Sequence, residues 1–421
     1  MEFSDDIKKV LEEHFPGKDI YNMSLEELKD MKEEVTELRQ EYFLLEMGMK
    51  TLGNAAYGAS ANQFFYFFNV SLAGDITGEC RNLTKTMWDK LEYFFHETLW
   101  ERKDLQEQFN FELDESKHDW YRKQHVSIYS DTDSVYTTFG TLFQAMTPES
   151  QARFDTDEKK LQFVLDFNKK FLDKQNNQWC DEMYNPRHGH NIHEFELETV
   201  SRSGIYLKKK KYLKGLVFSK GNYYLDKPKT SGTGIEIIKS TTPKLCRKIL
   251  TDLMKSLMFE FDDSSEESRK DYIRYFKEKI KEYRREFFMA PEEDVSGSIG
   301  IGNYKKYVIN DVDTLALHKG CPVSVQAIAR FNQLAHKHNE DNKKVYSGKI
   351  KYYCITTGTK AKDIGYFGFP AGELPTWAPP INRTVQWEKT IVDPINRFLE
   401  VMNIPLVNPH GVEQCVLDFG M

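Results

Sequence analysis

The chain has 421 residues, enough for about three domains at roughly 150 residues each and long enough to bury several cores, which excludes a stapled miniprotein. With 40% hydrophobic, 14% aromatic and 29% charged residues it is neither wholly disordered nor collagen-like. The 58 basic and 65 acidic residues sum to −7, so no global basic field draws the molecule to nucleic acid, and any such contact must come from a local patch.

Cys80, Cys180, Cys246, Cys321, Cys354 and Cys415 are widely spaced with no C-x-x-C pair, which argues against a zinc module or a secreted disulfide framework and makes a reducing compartment the default. The aromatic run Phe64 to Phe68 falls far short of the roughly 20 apolar residues of a membrane span. The opening Met1-Glu2-Phe3-Ser4-Asp5-Asp6 is acidic and does not read as a signal peptide, so a soluble, unexported protein is expected.

In chain order, the first informative element opens at Ser24, whose spacing to Glu27 is that of a capping box. Leu25, Leu28, Met31, Val35, Leu38, Tyr42, Leu45, Met49, Leu52 and Ala56 then step by three or four, predicting a long helix with one narrow apolar seam that wants a partner helix. The stretch from Ser4 to His14 is too short to cover a helix of about 30 residues rising 1.5 Å each. Between His125 and Phe139, alternation on both sides of a polar turn (Val126 and Ile128, then Val135, Thr137 and Phe139) predicts a β-hairpin with Asp131 and Asp133 at its tip. The lysine-rich segment from Gly204 to Lys229 reads as further strands, with turns at Lys220-Gly221-Asn222 and Asp226-Lys227-Pro228. Thr242 as cap and Pro243 at the first helical position open a helix striped by Leu245, Ile249, Leu253 and Leu257. A second helix starts near Ser264 and Glu267, with Ile273, Phe276, Ile280, Tyr283 and Phe287 on one side. From Gly348 come short strands, a Pro-rich loop from Pro370 to Pro380, and a helix around Val385 to Met402. No internal repeat or low-complexity tract is present.

Four groups of residues carry chemistry. In Tyr129-Ser130-Asp131-Thr132-Asp133-Ser134 the two carboxylates are hard oxygen ligands on a tight turn, suited to Mg²⁺ that keeps waters and shares substrate phosphates; taken alone the run also fits a solvated turn. Val135 at the fifth loop position, with no glycine at the sixth, rules out an EF-hand. Lys50, Asn54 and Tyr57 form one stripe of the long helix, just before Gly58, where a cation and an amide can grip a polyphosphate and the tyrosine can lie against a base; the same stripe also fits a wet helix face. From Gly204 to Lys229 eight lysines face one aspartate, a local charge of +7, and the run Lys208 to Lys211 followed by Tyr212 has the footprint of a phosphate-backbone contact, a solvated face or localisation signal being the plainer reading. Gly234-Ile235-Glu236 and Lys239-Ser240-Thr241-Thr242-Pro243 put hydroxyls, a cation and backbone N–H groups at a helix start, which serves an anion site or an ordinary cap.

In this order the segments resemble the carboxyl-terminal half of a family B DNA polymerase of the large tailed-bacteriophage type, collinearly and over nearly the whole chain. Lys50 to Gly58 resembles the fingers motif K-x-x-x-N-S-x-Y-G, and Tyr129 to Ser134 the palm motif Y-G-D-T-D-S. Lys210-Lys211-Tyr212 is similar to the K-x-Y motif that holds the primer strand, and Gly234 to Pro243 to the thumb segment G-L-E-x-x-K-S-S-T-P. The resemblance implies an α+β right-hand fold with an antiparallel palm sheet, a helical fingers arm and a mainly helical thumb: fingers over 1–63, palm over 64–230, and thumb with a C-terminal tail over 231–421. Asp133 and Asp131 would bind the catalytic Mg²⁺ ions, with Glu198 as a further palm carboxylate. Lys50, Asn54 and Tyr57 would bind the incoming nucleotide, and Lys210, Lys211, Tyr212, Lys239, Ser240 and Thr241 the DNA.

Ala55 replaces the usual serine and Ser130 the usual glycine, both small-for-small, while Ser324 and Gln326 stand where the thumb often has histidine and arginine, removing charge from an expected DNA-facing loop. The family's other metal-binding aspartate lies in a D-x-x-S-L-Y-P-S run upstream of the fingers, and neither that run nor a proofreading exonuclease is present here. Two-metal phosphoryl transfer needs carboxylates around both ions, which Asp133 alone cannot supply. The expectation is therefore a split polymerase subunit whose N-terminal partner chain carries the missing aspartate, the helix facing the seam and any exonuclease, acting with two shared Mg²⁺ ions, primer–template DNA and dNTP in the cytoplasm of a bacterial host. The tail Val416 to Met421 resembles a sliding-clamp-binding end, Leu417 to Met421 being its core, though it could also pack on the thumb. A non-catalytic DNA-binding or scaffolding subunit of a phage replisome is the alternative.

Overall fold

The computed structural model describes residues 11–18, 20–358, 363–372 and 374–408. The clamp-like tail from Val416 to Met421 and most of the stretch from Ser4 to His14 lie outside them. The chain combines helices with antiparallel sheets, an α+β arrangement, and divides into two compact units, Met1–Thr86 and Met87–Met421. Among the described residues no helix is long and apolar enough to cross a membrane.

The first unit is built on one helix. Ser24 Oγ accepts the Glu27 N–H at 3.3 Å while the Glu27 carboxylate accepts the Ser24 N–H at 2.7 Å, a reciprocal cap that satisfies two helix-end donors and starts α1 (Leu25–Ser60). Of the seam residues only Met31 is buried; Leu25, Tyr42, Leu45, Met49 and Leu52 are all more than half exposed. The turn that follows exposes Phe64 through Phe68, and Asn69 Oδ1 caps the Leu72 N–H at 3.0 Å to open α2 (Val70–Tyr93). α2 begins in one unit and ends in the other.

The second unit holds three hydrophobic cores. In the first, the end of α2 and a π-helical turn (Phe94–Thr98) bring Leu91, Phe94, Phe95 and Leu99 against Val126, Leu142 and the apolar face of α3 (Asp157–Phe167). Over this core lies the predicted hairpin, β1 (Ser127–Asp131) and β2 (Ser134–Thr137). The lysine-rich segment forms an antiparallel sheet in which β4 (Lys211–Ser219) is central, with β3 (Thr199–Lys208) on one side and β5 (Asn222–Tyr223) and β6 (Lys229–Thr233) on the other. On one face of β4 the backbone packs so closely that a Cβ on Gly215 would stand 2.5 Å from the Phe259 ring.

The second core runs across residue 230. Ile205, Leu213, Ile235 and Ile237 share it with Ile249, Leu253 and Leu257 of α4 (Lys244–Phe259), Phe276, Ile280 and Phe287 of α5 (Glu266–Met289), and Trp387, Ile395 and Phe398 near the chain's end. The α4 stripe is as predicted, but its start is one residue later: Pro243 occupies the cap, and the Thr242 hydroxyl donates to the Glu236 carbonyl at 2.7 Å instead. Likewise α5 is capped by Ser265, which accepts the Ser268 N–H at 3.0 Å, rather than by Ser264.

Beyond lie β7 (Gly297–Ile301), the short pair β8 (Val308–Asn310) and β9 (Ala316–Leu317), α6 (Val323–Lys337), β10 (Gly348–Thr356), β11 (Ile364–Pro370) and α7 (Asp393–Val401). The sheet β11-β10-β7 packs Ile350, Tyr353, Phe367 and Phe369 against Ala327, Ile328 and Phe331 of α6, the third core. Ser324 and Gln326 sit in the first turn of α6, not on a DNA-facing loop. Ser324 is buried, and Gln326 Nε2 donates to the Cys321 carbonyl at 2.7 Å, so both serve the helix start.

Candidate functional site

The carboxylates and the lysine run sit on two hairpin turns of one design. In the first, Asp131 pairs with Ser134, leaving Thr132 and Asp133 as a two-residue turn closed by the Asp133 N–H to Asp131 carbonyl bond at 2.5 Å. In the second, Lys208 pairs with Lys211, so the four lysines do not share one strand: Lys209 and Lys210 are the turn. Both turns carry a non-glycine residue in the left-handed region, Thr132 at φ +47° and Lys210 at φ +58°, a conformation that costs free energy and persists only where surrounding contacts enforce it.

Those contacts are four tyrosines. Tyr129 faces Tyr136 across the first hairpin, and Tyr206 faces Tyr212 across the second. The two pairs interlock: Tyr129 stacks on Tyr206 with ring centroids 5.1 Å apart, Tyr129 and Tyr212 are 5.3 Å apart, and the Tyr136 and Tyr212 hydroxyls lie 3.2 Å apart. The Tyr129 hydroxyl accepts the Lys210 backbone N–H at 2.7 Å, and Lys210 Nζ lies 3.8 Å from Asp131 Oδ1. The carboxylate turn and the basic turn are thus brought side by side. Burial pushes the Tyr206 phenol up to about 12 and raises that of Tyr136, whose hydrogen bond to Tyr212 acts in the same direction.

Asp131 is half-buried, whereas Asp133, Lys208, Lys209 and Lys210 are exposed. Tyr212 is not a surface residue. It is buried in the tyrosine cluster, where it holds the turn, and the exposed and half-buried side chains of the run are those of Lys208 to Lys211.

The segment from Gly234 to Pro243 leans on the basic turn. Gly234 has φ +65°, and a Cβ there would fall 2.1 Å from the Lys210 carbonyl oxygen, so only glycine lets the two backbones meet. Lys239 Nζ and Arg397 both pair with Glu236, at 3.2 and 3.1 Å; burial opposes ionisation of that carboxyl, but the two cations outweigh it and hold it below the usual range. Lys239 is therefore paired with Glu236, while its side chain stays partly exposed. Ser240 and Thr241 are exposed, with the Thr241 carbonyl accepting the Ser298 N–H at 3.1 Å.

Glu198 immediately precedes β3; its carboxylate faces Lys220 at 3.8 Å, and its charge also acts on Lys214 beneath the tyrosines. Lys50, Asn54 and Tyr57 are exposed on α1 and belong to the first unit. The donors on the turn are right for Mg²⁺ in kind, two hard carboxylates, but among the described residues no three His, Cys, Asp or Glu side chains converge on one point.

Two residues of this region escape sequence reading. Glu92, near the end of α2, accepts the backbone N–H groups of Val126 and Ser127 at 3.0 and 2.6 Å and so seats the start of β1, while its other oxygen lies 3.4 Å from His96 Nε2. Lys214 is buried beneath the tyrosines, its Nζ 4.8 Å from the Tyr136 ring centre. The first tyrosine pair carried a signal, lying symmetrically about its turn, whereas a bulge offsets the second; Glu92 and Lys214 carried none.

No family model matches the chain, and no curated protein matches it.

Proposed function

We propose that this chain is the fingers-part, palm and thumb portion of a family B DNA-directed DNA polymerase, acting as one subunit of a split enzyme whose partner chain completes the catalytic centre. The observation that carries the reading is the junction of the two turns: the Lys210 amide on the Tyr129 hydroxyl at 2.7 Å, with Lys210 Nζ 3.8 Å from Asp131. A metal-binding carboxylate turn set against a cluster of exposed ammonium groups is what a growing nucleic-acid strand requires, since its phosphates need cations and its reacting end needs the metal.

In this reading Asp133 and Asp131 hold Mg²⁺ together with a carboxylate of the partner, and the metal, when bound, supplies the charge that neutralises the triphosphate and the developing oxyanion. Lys210 and Lys211 grip the primer backbone as point charges, while Tyr129 and Tyr212 keep their turn in register with Asp131. Ser240 and Thr241 add hydroxyl contacts to the duplex, and Lys50, Asn54 and Tyr57 bind the incoming nucleotide from the fingers helix. The exposed seam of α1 is the face to which the partner's helix belongs. A replicative role places the complex in the host cytoplasm, with the tail from Leu417 as the segment offered to a sliding clamp.

Primer extension by the chain together with its co-purified partner tests this. Asp133→Ala should abolish extension while leaving DNA binding in place. Full extension by that variant, or a normal rate from the chain with no companion, refutes the proposal. The scaffolding alternative predicts that no preparation extends a primer.

A further inference from the structure

Among the described residues Lys214 is the one charged residue that is buried, at 8% exposed, and no carboxylate among them lies within ion-pair distance of it. Its Nζ is 4.8 Å from the Tyr136 ring centre, 5.7 Å from that of Tyr212, and 3.4 Å from Thr199 Oγ1. Tyr136 comes from the carboxylate hairpin and Tyr212 from the lysine hairpin, so one cation is shared by both. An ammonium removed from water with no carboxylate in contact is costly, and burial lowers the Lys214 pKa, opposed by Tyr212 and by the more distant charge of Glu198. A methionine of similar length would fill the space without that cost, so filling space does not explain a charge here. Aromatic faces stabilise a desolvated cation electrostatically, and here they stand where a carboxylate would.

We infer that Lys214 is a positioning residue: its ammonium, held between the faces of Tyr136 and Tyr212, locks the Asp131–Asp133 turn to the Lys209–Lys210 turn. The lock follows from the geometry of this unit alone; its effect on DNA rests on the polymerase reading. Removing the charge leaves both hairpins folded and lets the carboxylate turn shift relative to the basic one.

A double-mutant cycle in the unfolding equilibrium tests the lock, using Lys214→Met, Tyr136→Leu and the pair. A cation–π contact of the strength seen at partly desolvated sites gives a coupling of about twofold to thirtyfold in the equilibrium constant. Lys214→Arg, which keeps the cation, should restore it. Additive effects of the two substitutions overturn the inference, whatever the chain does with DNA. The positioning role is read separately, by fluorescence anisotropy of a dye-labelled primer–template duplex: Lys214→Met should weaken binding about tenfold and flatten its salt dependence, as if Lys210 had left its post, and Lys214→Arg should bind as the unaltered protein does. If the unaltered protein binds the duplex and Lys214→Met binds it equally well with the same salt slope, the positioning role is refuted. Should the unaltered protein not bind the duplex at all, the polymerase reading falls, and the cycle alone decides the lock.

Discussion

Replacing Gly234 by alanine probes the contact that seats the segment from Gly234 to Pro243 on the basic turn. Two costs add. A non-glycine residue at φ +65° costs about 1–2 kcal/mol in backbone conformation. The new Cβ would then lie 2.1 Å from the Lys210 carbonyl oxygen, and opening that gap to an ordinary carbon–oxygen contact of about 3.3 Å moves the turn by roughly 1 Å. Forcing a packed region apart in this way costs a further 1–3 kcal/mol or so, for a total of about 2–5 kcal/mol. Gly221 supplies the control: it has φ +79° and nothing within 4 Å of its would-be Cβ, so Gly221→Ala carries the backbone cost alone, about 1–2 kcal/mol. Urea unfolding of both variants reads the difference, and hydrogen exchange at the Lys210 amide reports whether the turn has left the Tyr129 hydroxyl. If Gly234→Ala matches Gly221→Ala within about 0.5 kcal/mol, with Lys210 still protected, the close approach does not constrain the turn.

Tyr129→Phe removes the acceptor of the Lys210 N–H; hydrogen exchange at that amide should quicken, with a loss of about 0.5–1.5 kcal/mol on unfolding, and an unchanged rate would show the bond to be idle. Burial raises the Tyr206 pKa, so the neutral phenol's stabilisation is fully present below the ordinary tyrosine value near 10 and is lost as pH rises towards about 12. In an alkaline titration followed by circular dichroism, Tyr206→Phe should therefore unfold at higher pH than the unaltered protein, and an identical midpoint counts against the assignment. Glu92→Ala leaves the Val126 and Ser127 N–H groups without their carboxylate, which should cost about 1–3 kcal/mol and loosen the first hairpin; retained exchange protection through Ser127 would refute the seating role.

Local chemistry was legible wherever one residue type settles one conformation. Ser24 with Glu27 announced α1 because a capping box satisfies its donors within a single turn, and alternation either side of Asp131-Thr132-Asp133 announced the first hairpin. The second hairpin was hidden because Lys208 to Lys211 contains no glycine, asparagine or proline to mark a turn; the tyrosine cluster, formed across 83 residues of sequence between Tyr129 and Tyr212, imposes a left-handed lysine that no local preference would choose. Thr242 looked like a helix cap, but a carbonyl six residues upstream took its hydroxyl. Tyr212 is assigned to DNA by resemblance, and packing between the two hairpins buries it.

The core that joins Leu213 and Ile205 to Leu253, Phe276 and Phe398 has a practical corollary. A chimera that exchanges everything after residue 230 for the equivalent part of another protein would leave the underside of the lysine sheet facing foreign side chains. Any transplant of this region must carry the strands and the helices as a single graft.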